Sequence, residues 1–226
     1  MPARPLTPIR ARQLGFTLAE LAVVLVILAV LASVLLIPLR TQTEAQQRGE
    51  AAATLEDIKL ALIGFAIINK RLPCPTTILG SATPGYGEEV VSALGSCETS
   101  ASDAYLPWRT LGVPALDPWG RPWRYRVEHG FATTTQPIYN DTPADHLQVV
   151  DHAGANLTSS ENRAVALVYS LGANGAADGA NAVFESGSAT YEAGEPTTTF
   201  DDMVLWIGRP GLIARLAEAG ALTIKP

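Results

Sequence analysis

The chain begins with a short basic stretch and continues into a long apolar one. Residues 1–15 contain three arginines, three prolines and no acidic residue. From Phe16 to Ile37 the only ionisable side chain is that of Glu20. A helix of this length, at about 1.5 Å of rise per residue, spans the ~30 Å hydrocarbon core of a membrane. The pattern therefore predicts a leader peptide at 1–15 and a transmembrane helix at 16–38.

The distribution of positive charge predicts the orientation of that helix. The leader arginines precede the apolar run, whereas Arg40 stands alone after it. This asymmetry places the N-terminus in the cytoplasm and the remainder outside. A secretory signal peptide is the main alternative, but its apolar core is shorter and ends at a small-x-small cleavage site. No such site precedes Pro38, and Glu20 interrupts the start of the run.

Residues 39–70 predict the amphipathic half of the same helix. Apolar side chains recur at spacings of 4, 3, 4 and 3, which is the period of one helical face. The charged residues in this stretch lie off that face, so one side of the helix is expected to pack on a globular head. The stripe consists of Ala51, Leu55, Ile58, Leu62 and Phe65.

The remainder, 71–226, predicts an α+β head. Asp117, Pro118 and Gly120 have the composition of a tight turn, and apolar and charged residues alternate over 123–128 as in a half-buried strand. Further short strands are predicted at 147–151, 164–170 and 203–207, followed by a terminal helix at 210–219. We expect a three- or four-stranded antiparallel sheet against the outer half of the long helix, since an isolated hairpin would not hold a core.

Cys74 and Cys97 are the two cysteines of the chain and lie in a stretch rich in proline, glycine and serine. An exported chain meets an oxidising compartment, so the pair predicts one disulfide. The bond would close a structured loop within 72–122 and contribute on the order of 3 kcal/mol. A redox-active pair is typically a Cys-x-x-Cys motif, and this spacing does not support one.

At the start of the apolar run, the segment from Gly15 to Leu21 reads Gly-Phe-Thr-Leu-Ala-Glu-Leu. It resembles the class III signal of type IV prepilins and type II secretion pseudopilins, and the resemblance covers roughly residues 10–40. It implies a pilin-like fold, cleavage between Gly15 and Phe16 by a prepilin peptidase, and methylation of the new Phe16 amine. It also implies that Glu20 pairs with the N-terminal amine of a neighbouring subunit. Two opposite charges in a low-dielectric bundle attract strongly, whereas either alone is penalised.

Two segments of the head resemble major pseudopilins. The run Asp117–Tyr125 is similar to their turn-and-strand segment, and the loop 170–179, followed by two aspartates, is similar to their calcium-binding β-loop. Hard oxygen donors suit calcium. The insertion 180–200 lengthens the family pattern, an asparagine replaces an expected acid, and turn formation alone also favours these residues. The implied ligands are the carbonyl of Leu171 and the side chains of Asn174, Asp178, Asp201 and Asp202.

The resemblance implies a structural subunit of a type IV pilus or of a type II secretion pseudopilus, and leaves the choice between them open. The expected partners are the prepilin peptidase, other subunits, the inner-membrane assembly platform and membrane lipid. The head would lie in the periplasm or outside the cell. Its size and its insertion favour a minor or specialised subunit.

Two other classes of function remain as alternatives. A membrane-anchored binding module would use the insertion 180–200 to meet a secretion substrate or a surface. Nucleic acid is not an expected partner, because the net charge is −6 and the insertion is acidic. An anchored enzyme is less favoured, since no convergent set of acid, base and nucleophile is present and the three histidines have no metal-site spacing. The four tryptophans predict core packing rather than a carbohydrate platform.

Overall fold

The computed structural model describes residues 17–97, 105–186 and 189–225, and for residues 32–41 and 183–186 it describes the backbone alone. The elements are, in chain order, α1 (Leu18–Asn69), α2 (Trp108–Leu111), β1 (Arg124–Val127), α3 (His129–Ala132), β2 (Gln148–Val150), β3 (Ala164–Ser170), a 3₁₀ helix (Gly179–Ser186), β4 (Thr190–Glu192), β5 (Met203–Gly208) and α4 (Arg209–Glu218). This content confirms the α+β fold class. The chain divides into two compact units, Met1–Glu44 and Ala45–Pro226.

In the second unit, α1 presents the predicted apolar stripe to the core. Ala51, Leu55, Ile58 and Leu62 are all buried. The fifth predicted member, Phe65, is partly exposed, and Ala66 is buried in its place. The stripe therefore continues with a spacing of four, and the Phe65 ring instead lies 5.3 Å from the guanidinium carbon of Arg71.

Helix α1 ends where the sequence predicts. Lys70 adopts a left-handed conformation with φ 58°, and its N–H donates to the carbonyl of Ala66 at 2.8 Å. A residue in this conformation turns the chain away from the helix and satisfies one of the last carbonyls. Beyond it, the guanidinium of Arg71 donates two 2.7 Å hydrogen bonds to the carboxylate of Glu89. The same carboxylate accepts from the backbone N–H of Cys74. The loop is thus anchored to the end of α1.

The predicted disulfide is present between Cys74 and Cys97, whose Cα atoms are 5.2 Å apart. Cys74 is fully buried, which agrees with a structural bond. The loop that the bond closes is also held by hydrogen bonds to the segment after α3, where the carbonyl of Gly95 accepts from Thr133 and Thr134.

The central sheet has three antiparallel strands in the order β1-β3-β5. All seven residues of β3 are buried, because cores lie on both faces of the sheet. One core contains the α1 stripe together with Trp123, Tyr125 and Val168. The other contains Leu167 and Tyr169 with residues from β2 and β4. A strand covered on both faces has a continuous apolar sequence, as residues 164–169 do.

The expectation for β2 needs a correction. We expected the segment 147–151 to join one antiparallel sheet, but β2 pairs in parallel with β4 in a separate two-stranded sheet. Strand β4 lies in the insertion 180–200, where no strand was predicted. Its central residue, Tyr191, is fully buried against the second core. Burial of this aromatic side chain stabilises the short strand against the second core.

The prediction of core packing is confirmed for two of the four tryptophans. Trp108 and Trp123 are buried, and the Trp108 ring packs edge-on against Tyr86 with ring centroids 5.1 Å apart. Gly87, with φ 69°, approaches the Trp108 indole so closely that a β-carbon would overlap it. Trp119 and Trp206 are partly buried and pack against different cores. The four side chains therefore do not form one exposed platform.

Candidate assembly segment and cation-binding loop

The first turn of α1 is closed by a reciprocal pair of hydrogen bonds between Thr17 and Glu20. The hydroxyl of Thr17 accepts from the backbone N–H of Glu20 at 3.2 Å. The carboxylate of Glu20 accepts from the backbone N–H of Thr17 at 3.2 Å and from its hydroxyl at 3.3 Å. This arrangement is a capping box, which satisfies donors that a helix start leaves unpaired. Glu20 is therefore held by its own helix, a role that the sequence analysis did not assign to it.

All described side chains between Thr17 and Leu31 are exposed. Apart from Thr17 and Glu20, these residues are apolar; the exposed fraction is 90% for Leu18 and between 50% and 63% for the leucines, valines and isoleucine that follow. An exposed apolar stretch of this kind marks a surface that contacts another molecule or lipid. Gly15 and Phe16, the predicted cleavage residues, lie outside the described residues.

Within the described residues, no helix combines the length and the apolar character needed to cross a membrane. The span predicted at 16–38 lies only partly within the residues whose side chains the structure describes.

Three carboxylates meet beside the loop that follows β3. Asp178, Asp201 and Asp202 each offer an oxygen, and these oxygens lie within 4.8 Å of one another. The backbone places them there, because the N–H of Asp178 donates to Asp202 and the N–H of Asp201 donates to Asp178, both at 2.9 Å. The resemblance to the calcium-binding β-loop predicts this association of two segments more than twenty residues apart.

Two buried oxygens of this cluster have no hydrogen-bond partner among the described residues. They are Oδ1 of Asp201 and Oδ1 of Asp202, and the two residues are 9% and 2% exposed. Burial raises the pKa of Asp202 to about 7. Hydrogen bonds from Asp178 and Asn181 act in the opposite direction, whereas the charges of Asp178 and Asp201 raise this pKa further. Unpaired buried carboxylate oxygens are costly unless a proton or a cation compensates them.

The other two predicted ligands, Asn174 and Leu171, form hydrogen bonds that shape the loop. Asn174 donates from its side-chain nitrogen to both oxygens of Asp178, and its side-chain oxygen accepts from the N–H of Ala176 at 2.7 Å. Its own backbone N–H donates to Asp201 at 2.9 Å. The carbonyl of Leu171 accepts from the N–H of Gly175 at 3.1 Å. Asn174 therefore cross-links the acidic residues in this arrangement, and Leu171 closes the turn.

Asn181 belongs to the site and was missed by the sequence analysis. It is fully buried in the 3₁₀ helix, and its side-chain nitrogen donates to Asp202 at 2.9 Å and to the carbonyl of Glu192 at 3.0 Å. Its side-chain oxygen accepts from the N–H of Glu192. The insertion 180–200 thus supplies a residue to the acidic cluster. The sequence carried no periodic signal for this, since one asparagine in a polar segment is ordinary turn composition.

The turn at Asp117 also reaches this loop. Asp117 accepts from the N–H groups of Trp119 and Arg121 through Oδ1 and from the hydroxyl of Ser170 through Oδ2. The guanidinium of Arg121 donates to the carbonyl of Gly172 at 2.6 Å and to that of Ala173 at 3.3 Å. The sequence predicts the turn, but no pattern in it indicates a contact between the turn and the loop.

A second cluster joins His146 with Glu128 and Asp145. The His146 Nδ1 atom lies 2.7 Å from Glu128 Oε1 and 2.8 Å from Asp145 Oδ1. Glu128 is buried, and its other oxygen accepts from the backbone N–H of His146. The hydrogen bond to Glu128 raises the pKa of His146, with a further contribution from the charges of Glu128 and Asp145. The histidine thus gives a buried carboxylate a hydrogen-bond partner.

Comparison with known proteins identifies a sequence motif in the N-terminal segment. The family model of the prokaryotic N-terminal methylation motif matches residues 10–36. This motif is the prepilin-type signal of type IV pilins and pseudopilins, and the chain carries it. The signal implies processing by a prepilin peptidase and assembly with other pilin subunits. Searches of the curated proteins and of the solved structures find no match.

Proposed function

We propose that this chain is a structural subunit of a type IV pilus or a type II secretion pseudopilus, anchored in the bacterial inner membrane before assembly. The observation that supports this most strongly is the methylation motif at residues 10–36, within which every described side chain, from Thr17 to Leu31, is exposed. A prepilin peptidase cleaves between Gly15 and Phe16, and the Phe16 amine is methylated. The apolar helix then leaves the lipid and packs among the helices of other subunits, while an inner-membrane platform drives assembly.

The second unit has the features of an extracytoplasmic head. It has cores on both faces of its central sheet and a disulfide that requires oxidising conditions. Its extended loops and the insertion that carries β4 and the 3₁₀ helix favour a specialised subunit rather than a closely repeated one. This role is part of the proposal.

Processing is tested by mass spectrometry of the chain extracted from two otherwise identical hosts, with and without a prepilin peptidase. We expect a chain that begins at a methylated Phe16 in the first host and the full leader in the second. A chain that still begins at Met1 in the competent host would exclude the proposed processing.

We also propose that the loop holds a calcium ion between Asp178, Asp201 and Asp202. The buried Oδ1 atoms of Asp201 and Asp202 support this, because a hard cation with oxygen ligands is the group that such atoms fit. Bound calcium would supply the positive charge that the three carboxylates lack and would link the loop after β3 to the start of β5.

Calcium should therefore raise the melting temperature of the full-length chain, and the change Asp202→Asn should remove this response. The amide oxygen of the variant can keep the two hydrogen bonds that Oδ2 accepts from Asp178 and Asn181. We expect the variant to be at least as stable as the wild type in chelator, since burial disfavours the charged form of Asp202. At a calcium concentration of 100 times the dissociation constant, the wild type should gain about 2.7 kcal/mol.

Differential scanning calorimetry in detergent, with calcium and with chelator, measures this difference. Asp57→Asn is the matched control, because Asp57 is an exposed acid on α1 outside the loop. Equal melting temperatures of the wild type with and without calcium would overturn the proposed site.

A further inference from the structure

We infer that Arg121 and Asp117 are positioning residues for the acidic loop, which is the loop that follows β3, residues 171–178. The turn that contains them fixes the backbone of this loop, and the loop in turn orients the proposed calcium ligands. This inference rests on the cation site proposed above. It concerns the geometry of the loop before any cation binds.

Arg121 holds the loop through its guanidinium group. The two hydrogen bonds to the carbonyls of Gly172 and Ala173 fix two successive peptide groups from one side chain. Gly175 has φ 71°, and a β-carbon there would overlap the Arg121 guanidinium. The loop therefore curves closely around the guanidinium, and the left-handed glycine permits this approach.

Asp117 supports the same loop from its start. Its Oδ2 atom accepts from the Ser170 hydroxyl at 2.5 Å, and the oxygen of that hydroxyl accepts from the N–H of Gly172 at 3.1 Å. Asp117 and Ser170 are both buried, so water does not compete for these bonds. Asp117 also accepts from the N–H of Arg121, which places the arginine on the same turn.

The opposite side of the loop lies against the acidic cluster. A β-carbon on Gly172, whose φ is 59°, would overlap Asp201. The next residues carry the contacts to the carboxylates, since the backbone N–H of Asn174 donates to Asp201 and its side chain donates to Asp178. The loop thus lies between Arg121 and the acids, and a shift of its backbone would displace two of the three carboxylates.

Electrostatics alone predicts the opposite effect of removing the arginine. A positive guanidinium close to a cation site repels the cation, so neutralising it would strengthen calcium binding. A positioning role predicts weaker binding, because the variant must order the loop when the cation binds. The sign of the change in affinity therefore separates the two explanations.

The test is isothermal titration of calcium into the full-length chain and into Arg121→Gln and Arg121→Lys. We expect the dissociation constant to rise about tenfold in Arg121→Gln, a change of about 1.4 kcal/mol. Arg121→Lys should also bind more weakly, because lysine keeps the charge but not the planar fork. Arg215→Gln is the matched control, since Arg215 is an exposed arginine paired with Glu218 on α4. The calcium affinity of this variant should equal that of the wild type.

A second measurement does not depend on calcium. In chelator, hydrogen exchange at the amide of Asn174 should be faster in Arg121→Gln than in the wild type, because this amide donates to Asp201 only when the loop is in place. Wild-type affinity in Arg121→Gln, or tighter binding, would overturn the inference. If the wild type binds no calcium, the proposed cation site fails, and unchanged exchange at Asn174 would then overturn the positioning role as well.

Discussion

Replacing Glu20 with glutamine should lower the amount of this subunit in assembled filaments by more than about tenfold. Glutamine can keep the capping box, because its amide oxygen can accept from the Thr17 N–H as the carboxylate does. It cannot form the charge pair with a neighbouring N-terminal amine that the prepilin resemblance implies. Losing one partner of a buried ion pair costs about 3–5 kcal/mol, which exceeds the energy of a tenfold change in an equilibrium.

The matched control for Glu20 is Thr17→Ala. This change removes the hydroxyl that accepts from the Glu20 N–H, but it keeps the carboxylate. It should weaken the helix start by about 1 kcal/mol and leave incorporation near the wild-type level. Quantitative immunoblots of sheared filaments and whole cells measure the ratio. If Glu20→Gln is incorporated normally while Thr17→Ala is not, Glu20 acts as a helix cap and not through its charge.

Replacing Trp123 with alanine should destabilise the second unit by about 3–5 kcal/mol. The Trp123 side chain is 1% exposed and packs in the core that contains the α1 stripe. Its removal leaves a cavity between the helix and the sheet that rigid neighbours fill only in part. The free energy of unfolding of a native protein is typically about 5–15 kcal/mol, so this loss would be a large part of the total.

Trp123→Phe is the control for this change. In the part of the chain that the structure describes, the buried indole N–H of Trp123 has no hydrogen-bond partner, so phenylalanine loses no such bond there. It should cost much less than alanine, because an aromatic ring still fills most of the space. Urea unfolding followed by circular dichroism gives both values. A cost below about 1 kcal/mol for Trp123→Ala would show that the helix and the sheet do not depend on this core.

The sequence predicts best those elements whose pattern follows directly from burial. The α1 stripe, the fully buried β3 and the terminal helix α4 all carry a period or a composition that burial imposes. Strand β3 has the predicted bounds, and α4 begins and ends one residue earlier than predicted. The methylation motif was recognised for a different reason, because Gly15 to Glu20 belong to a short sequence signal, and the family model matches residues 10–36.

The elements that were missed depend on distant contacts. β4 has three residues and lies in an insertion with no alternation, and its parallel partner β2 is about forty residues away. Only burial of Tyr191 in the second core reveals it. Asn181 and Arg121 were missed for the same reason. Each satisfies groups on another segment, and a single sequence does not show which segments meet.

The candidate cation site combines both cases. The resemblance grouped Asp178, Asp201 and Asp202, and the structure places their carboxylate oxygens within 4.8 Å of one another. It did not show that Asn174 donates to the cluster, because the direction of an amide depends on its neighbours. The carbonyl of Leu171 accepts a hydrogen bond from the N–H of Gly175, and this bond belongs to the local turn.

Peptide mapping of purified filaments tests the central proposal most directly. Filaments from the native host are sheared or extracted, separated from membranes, digested and analysed by mass spectrometry for the N-terminal peptide of this chain. The proposal predicts that the chain is present in the filament fraction and begins at an N-methylated Phe16. A processed chain that remains in the membrane fraction and never enters filaments, or a filament subunit that retains its leader, would contradict it.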